Sequence, residues 1–449
     1  MITLRPANLF QRVATRASFR LLQFMRRTDR LGVRQIFNPL LREPVAAFVQ
    51  WIMNLTRRNE NFQLAEERTL PNEEAATDSI IEAFGTYMRQ HYRPGEYERG
   101  GNTKTHGIVR AEFIIHDNLP PEFRHGVFAQ PKTYKAWVRF AGPGPDMPKD
   151  IDDVGFVSCS IKVIGVESKK LMEDEKTTQD FIMVSTPTFV TPEIASNALL
   201  QAYVLRGTPI FYFLTTGLQH FLDFIMQGLW NETQTSTLEA RYWSCVPYLL
   251  GEGQAMMFSV RPSIPKRSWI RGYPCLTSPI YLRNAMIEAL GKGPVDFDFM
   301  VQRQTDAFRM PIENAGVRWP EKLSPFVTVA TLRMPQQVFD SQAQFDFGRN
   351  LSYTPWHCIA EHRPLGNQSR ARKRMYFELR RLRQTMNATP HIEPTGNEVF
   401  PGDPKARPIP DPLLPPYMSS ALGSRMPLRV DGDAAARRAA AKVSGEQEP

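Results

Sequence analysis

Residues 369–383 read Ser-Arg-Ala-Arg-Lys-Arg-Met-Tyr-Phe-Glu-Leu-Arg-Arg-Leu-Arg, a run without Gly or Pro. Strong helix formers fill it, which predicts an α-helix. At about 100° per residue, Tyr376 lies about 40° around the axis from Arg372, and Arg383 about 20° from Tyr376. One face therefore carries a phenol with a guanidinium one turn before it and another two turns after. A neighbouring guanidinium favours the phenolate by Coulomb attraction, and a phenolate is a hard anionic ligand suited to ferric iron. Taken alone, the three residues are explained more simply by a surface helix that happens to be basic.

Upstream, residues 107–115, 134–141, 156–166 and 180–185 are short, rich in β-branched and aromatic side chains, and partly alternating. They predict four strands. Helical patterns follow over 192–205, 208–229 and 237–248, and strand patterns return at 255–261, 295–304 and 326–332, with a helix over 280–290. Two groups of strands separated by helices point to an α+β fold built on one closed or nearly closed antiparallel sheet, because closure removes exposed edges.

Four segments then acquire a common meaning: Thr105-His106-Gly107 at the mouth of the first strand, Val138-Arg139-Phe140 in the second, Thr178-Gln179-Asp180-Phe181 leading to Thr186-Pro187, and Thr354-Pro355-Trp356-His357 through His362-Arg363-Pro364-Leu365-Gly366 before the tyrosine helix. In this order and spacing, over roughly residues 75–388, the chain resembles the catalase-like haem protein superfamily, in particular its bacterial catalase-related branch. The resemblance implies an antiparallel catalase-like β-barrel with helical insertions and a C-terminal haem-ligand helix. It implies haem, taken as haem b, with Tyr376 as axial iron ligand and Arg372 as the partner of its phenolate. It also implies His106 as the distal histidine, and Arg139 and Arg383 as anchors for the haem propionates. The implied activity is haem-dependent O–O bond cleavage in peroxides, in which His106 takes the proton from the hydroperoxide and returns it to the departing oxygen.

Departures from the family pattern narrow that expectation. Where full catalases carry a distal asparagine, this chain reads Met183-Val184-Ser185-Thr186-Pro187, so Ser185 is the candidate donor. Ala141 stands where a serine usually orients the distal histidine, and Thr103 where a third propionate arginine is usual. Thr105 before His106 resembles the threonine-histidine pair of the allene oxide synthase branch. These substitutions point to organic or lipid hydroperoxides such as a fatty-acid hydroperoxide, turned over by a peroxidase or isomerase with weak catalase activity. The alternative is a non-catalytic haem- or lipid-binding protein at a membrane surface.

The whole chain has 449 residues, 42% hydrophobic and 22% charged, an ordinary globular composition. Four dispersed cysteines, Cys159, Cys245, Cys275 and Cys358, exclude a zinc ribbon, a CxxC motif and a disulfide-dense scaffold. Of the net charge of +9, most comes from residues 1–43, where nine arginines face only Asp29 and Glu43. The remainder is nearly neutral, which argues against a nucleic-acid partner. We divide the chain into a basic N-terminal arm with amphipathic helices (1–74), the haem-binding domain (75–388) and a Pro-rich tail (389–449), either disordered or lying along the surface.

The arm has the composition of a helix lying on an anionic membrane, of a transit peptide, or of an arm crossing a partner subunit in a homo-oligomer. Residues 208–230 form a second apolar stretch, but His220 and Asp223 within it disfavour a transmembrane span. A cytoplasmic protein with peripheral membrane contact is the expectation. His357 and His362, five positions apart and bracketed by Pro355 and Pro364, match no zinc-hydrolase spacing.

Overall fold

The computed structural model describes residues 2, 4–31, 33–57 and 63–400, with no side-chain description for 33–39. Nine strands form one sheet: β1 (Thr105–Ile115), β2 (Thr133–Ala141), β3 (Ser158–Ile164), β4 (Thr178–Val184), β5 (Tyr242–Trp243), β6 (Tyr248–Leu249), β7 (Ala255–Pro262), β8 (Val295–Arg303) and β9 (Val327–Met334). Their order is β5-β4-β3-β2-β1-β9-β8-β7-β6, and a further β5–β7 pairing closes eight of them into an antiparallel barrel, with β6 flanking β7. The fold is α+β.

Alternation in the strands turns Val109, Phe113, Val138, Phe140, Ile161 and Phe181 into the lumen, where they join one buried cluster with Phe258 and Phe299. Ring centroids of Phe181 and Phe299 lie 4.9 Å apart and those of Phe113 and Phe299 5.1 Å apart. The barrel is thus a packed core, and the alternate residues of β1–β4 face outward.

The helices are α1 (Leu9–Thr28), α2 (Val33–Thr56), α3 (Glu73–His91), α4 (Ile194–Leu205), α5 (Pro209–Thr215), α6 (Leu218–Trp230), α7 (Tyr281–Lys292), α8 (Gln342–Asn350) and α9 (Asn367–Met386). Two expected helices come out differently. The 208–229 pattern is cut into α5 and α6 at Gly217, whose φ of +123° breaks the helical path. The segment 237–248 contains no helix; it supplies β5 and β6 instead. Pro247 cannot donate a helical hydrogen bond, Cys245 sits at φ +58°, and Ser259 Oγ holds the Tyr242 carbonyl at 2.7 Å.

The N-terminal helices pack on the body. Arg26 and Arg30 are buried: Arg26 donates to Thr233 Oγ1 at 3.1 Å, and Asp29 accepts from the Thr233 amide at 2.6 Å. Ala46, Val49 and Met53 of α2 pack on Leu222, Met226 and Trp230 of α6. Residues 389–400 lie along the barrel, with Glu398 accepting from Trp137 Nε1 at 2.9 Å and Phe400 against the Trp137 ring. The rest of the predicted tail, 401–449, lies outside the described residues.

Candidate functional site

Helix α9 begins after Gly366, whose φ is +84° and where a Cβ would stand 2.4 Å from the Ile312 carbonyl oxygen. That turn fixes where the helix starts, and so where Tyr376 falls. Tyr376 is half-buried and packs on the outward cluster formed by Ile108, Trp137, Ile182 and Tyr353. Its hydroxyl makes no hydrogen bond among the described residues. Arg372, one turn earlier and buried, brings its guanidinium carbon 6.0 Å from the Tyr376 ring centroid and 5.0 Å from that of Phe189. Arg372 Nη1 is buried without a hydrogen-bond partner among the described residues.

His106 occupies a β-bulge. Thr105 pairs with Ala141 and Gly107 with Phe140, so His106 is the additional residue, and such a bulge re-aims a side chain. The imidazole is buried, with Nδ1 3.8 Å from Asp150 Oδ1. Its Nε2 is buried without a partner among the described residues. Burial lowers the His106 pKa to about 3, against the opposing pull of Asp150, so the ring is neutral at pH 7.

Four residues not singled out from sequence hold this arrangement. Asp150 is fixed by the Lys104 ammonium and by the Leu282 amide at 2.9 Å. Arg283 of α7 donates to the carbonyls of Thr105 at 2.7 Å and His106 at 3.2 Å, pinning both sides of the bulge.

The Thr105 hydroxyl accepts from Arg139 Nη2 at 2.8 Å. Ser185 Oγ, also buried, accepts from the Val157 amide at 3.0 Å. Ala141 contributes no hydroxyl at its place opposite Thr105.

The expected anchors Arg139 and Arg383 belong to a larger cationic cluster. Arg139 Nη2 donates to the carbonyls of Asn102 and Thr103, while Arg383 Nη2 and Arg99 Nη2 both donate to the Leu351 carbonyl, at 3.1 and 2.6 Å. Arg349 pairs with Glu98 at 2.8 Å. Burial raises the Glu98 pKa, opposed by Arg349, Arg99, Arg383 and Arg139, and Arg349 also lies 3.5 Å from Asp346. Arg383 is pushed well below its usual range by burial and then by Arg99. A cluster of buried guanidiniums of this kind suits an anionic guest. Arg99 is the residue that sequence reasoning missed here; no motif marks it, and only folding brings it to Arg383.

These groups share the outward side of β1–β4: Ile108 pairs with Arg139 across the β1–β2 ladder and belongs to the cluster under Tyr376, and the charge of Arg139 is among those that lower the His106 pKa. The donor set fits haem. An uncommitted phenol with a cationic neighbour, an imidazole nitrogen with no partner and an excess of guanidiniums are what an iron, an open coordination position and two carboxylates require.

A different buried cluster brings Glu175, Asp180 and His357 within metal-binding reach of one another. Its centre is taken by Lys162, whose ammonium hydrogen-bonds to Glu175, to Asp180 Oδ2 at 3.0 Å and to His357 Nδ1 at 3.3 Å. His362 lies apart, accepting from the Val127 amide at 3.1 Å, so the two histidines of the 357–362 segment do not converge on one site.

Among the described helices none is long and apolar enough to cross a membrane. No family model and no curated protein matches this chain. Solved structures similar to it include a fungal catalase, at TM-score 0.46 and 14% identity over 78% of this chain and 72% of that one. A bacterial catalase is similar at TM-score 0.43 and 13% identity, over 84% of this chain and 77% of that one.

Proposed function

We propose that the chain is a haem-dependent enzyme that cleaves the O–O bond of hydroperoxides, organic or lipid hydroperoxides foremost, as a peroxidase or isomerase. The observation that carries this reading is the pairing of Tyr376 with the buried Arg372 on α9, beneath the strand that bears a neutral His106. Tyr376 would hold the iron, and Arg139, Arg383 and Arg99 the propionates. Haem iron, when bound, supplies the electrons for O–O cleavage.

What the chain itself does is move a proton and set charge. The Asp150 carboxylate on the Nδ1 side favours the tautomer protonated at Nδ1. That leaves the Nε2 lone pair free to accept the hydroperoxide proton and deliver it to the leaving oxygen, so that an alcohol or water departs. The Arg372 guanidinium, 6.0 Å from the Tyr376 ring centroid, would stand as the cation beside an iron-bound Tyr376.

Slow hydrogen peroxide dismutation follows from the distal groups. Ser185 Oγ accepts from the Val157 amide and keeps its proton to donate, but its side chain is shorter than an asparagine, and Ala141 cannot orient the imidazole; loss of one preorganised donor typically costs about 10²–10³ in rate. With the Thr105 hydroxyl bound to Arg139, the preference for lipid hydroperoxides rests on the apolar helical face described below more than on the threonine.

The test is spectroscopic and kinetic. Protein supplied with haem is expected to give a high-spin ferric spectrum with a phenolate charge-transfer band and to consume a fatty-acid hydroperoxide faster than hydrogen peroxide. Replacement His106→Ala is expected to reduce turnover to that of free haem. Unchanged turnover in that variant favours the non-catalytic haem- or lipid-binding reading instead.

A further inference from the structure

We propose that the outward face of α1, α2 and α6 docks on the surface of an anionic lipid bilayer. This inference does not depend on haem or on peroxide chemistry.

The first observation is that these helices are amphipathic in the inverted sense. In α1, Phe10, Val13, Ala17, Leu21 and Phe24 fall within an arc of about 80° at 100° per residue, and every one of them is exposed. The opposite side of the same helix buries Thr15 and Arg26. In α2, the exposed Leu41, Phe48, Trp51 and Leu55 again share about 80° of arc, while Ala46, Val49 and Met53 face α6. Exposure reaches 71% for Phe10, 64% for Phe24, 59% for Phe48 and 57% for Trp51.

Helix α6 continues the pattern. Leu218, Phe221 and Phe224 are exposed. Its two ionisable side chains turn away from that row: His220 is held by Ser196 Oγ at 3.1 Å and Thr216 Oγ1 at 2.7 Å, and Asp223 is buried. Burial raises the Asp223 pKa to about 8, so it carries little charge at neutral pH. The three rows belong to one layer, since the Phe10 ring packs edge-on against Phe211 of α5, Phe213 of α5 against Phe224, and α2 against α6.

Charge decides which occupant this face suits. Arg16 and Arg20 are exposed beside the α1 stripe and make no ion pair among the described residues. The acids within these helices are Glu43, which pairs with Arg318 at 2.7 Å, and the buried Asp223. Large apolar and aromatic side chains flanked by unpaired arginines, with no exposed unpaired acid among the described residues of these helices, are the signature of a helix lying in the headgroup region of anionic lipid. A second copy of the chain would bring the arginines against their own kind.

The experiment is flotation of the full chain with vesicles of equimolar phosphatidylcholine and phosphatidylglycerol, compared with phosphatidylcholine alone. The chain is expected to float with the mixed vesicles and to do so less as salt rises. Arg16→Gln and Arg20→Gln are each expected to weaken binding about fivefold, and the double variant Phe24→Glu/Phe48→Glu to weaken it about tenfold or more. Because all four positions are exposed, thermal unfolding of the variants should match the parent and exclude misfolding as the cause. The proposal is overturned if the parent stays with the soluble fraction in both vesicle types, if the double variant binds as well as the parent, or if the parent is a dimer that the double variant converts to a monomer with no vesicle binding by either.

Discussion

His106 Nδ1 and Asp150 Oδ1 lie 3.8 Å apart, both buried, where a hydroxyl at position 141 would otherwise be expected to steady the imidazole. Asp150 is itself anchored to Lys104 and the Leu282 amide, so it offers a fixed negative charge on one side of the ring. Replacement Asp150→Asn keeps the shape and removes that charge. Breaking the buried Lys104–Asp150 pair should destabilise the fold by about 3 kcal/mol, read from denaturant unfolding. Loss of the orienting partner should lower hydroperoxide turnover by about tenfold or more at unchanged haem content. Turnover equal to the parent would remove Asp150 from the positioning of His106.

Acid tolerance of the proposed activity is expected from the burial of His106. Its pKa is pushed down to about 3, so the neutral form that accepts a proton persists far below the ordinary histidine range. The rate of hydroperoxide consumption is expected to stay level as pH falls from 7 to about 4 and to drop only below that. A break near pH ~6.5, the value of an unperturbed histidine, would mean that His106 is solvated or is not the base.

Much of this architecture was legible in the chain, and the parts that were not have physical reasons. The long strands declared themselves because each has seven or more residues that alternate between a packed lumen and the outward face. The two-residue strands β5 and β6 carry no such period, and their pairing with β7 is decided by the partner strand. Tyr376 and Arg372 were readable because a helix fixes their relative azimuth. Asp150, Arg283 and Arg99 were not, because each meets its partner only across distant elements: Arg283 reaches back to Thr105, and Arg99 meets Arg383 over the Leu351 carbonyl.

Stability on the alkaline side should report the buried Asp223. Both of its carboxylate oxygens lack partners among the described residues, and its folded pKa, raised to about 8 by burial, exceeds the ~3.9 of an unfolded aspartate. The folded state therefore holds a proton that the unfolded state releases. The stabilisation is complete below pH ~4 and is lost progressively as pH rises to about 8, by no more than about 1.4 kcal/mol per pH unit. In Asp223→Asn this slope should vanish, so the variant gains most over the parent at pH 8 and above. Parallel pH profiles of the melting temperature would contradict the assignment.

The cationic cluster yields a prediction with opposite signs in two measurements. Burial, and then the nearby guanidiniums of Arg99, Arg139 and Arg380, push the Arg383 pKa well down against the opposing charge of Glu98. Replacement Arg383→Gln relieves that repulsion and should leave the haem-free protein at least as stable as the parent. The same change should weaken haem binding by about tenfold, the scale of one lost charged hydrogen bond. A variant that lost stability and kept haem affinity would place Arg383 in the scaffold and leave the propionates to other residues.

Replacement Tyr376→Phe separates cofactor ligation from folding more cleanly than any other change. The Tyr376 hydroxyl makes no hydrogen bond among the described residues, and its ring packs on Ile108, Trp137 and Met375 clusters that phenylalanine preserves. Unfolding free energy should therefore move by no more than about 0.5 kcal/mol. The phenolate charge-transfer band, by contrast, should disappear altogether, because the oxygen proposed to donate to iron is gone. A stable Tyr376→Phe protein that retained the parent spectrum would move the iron ligand elsewhere, and with it the role of Arg372 as the cation that holds charge on that oxygen.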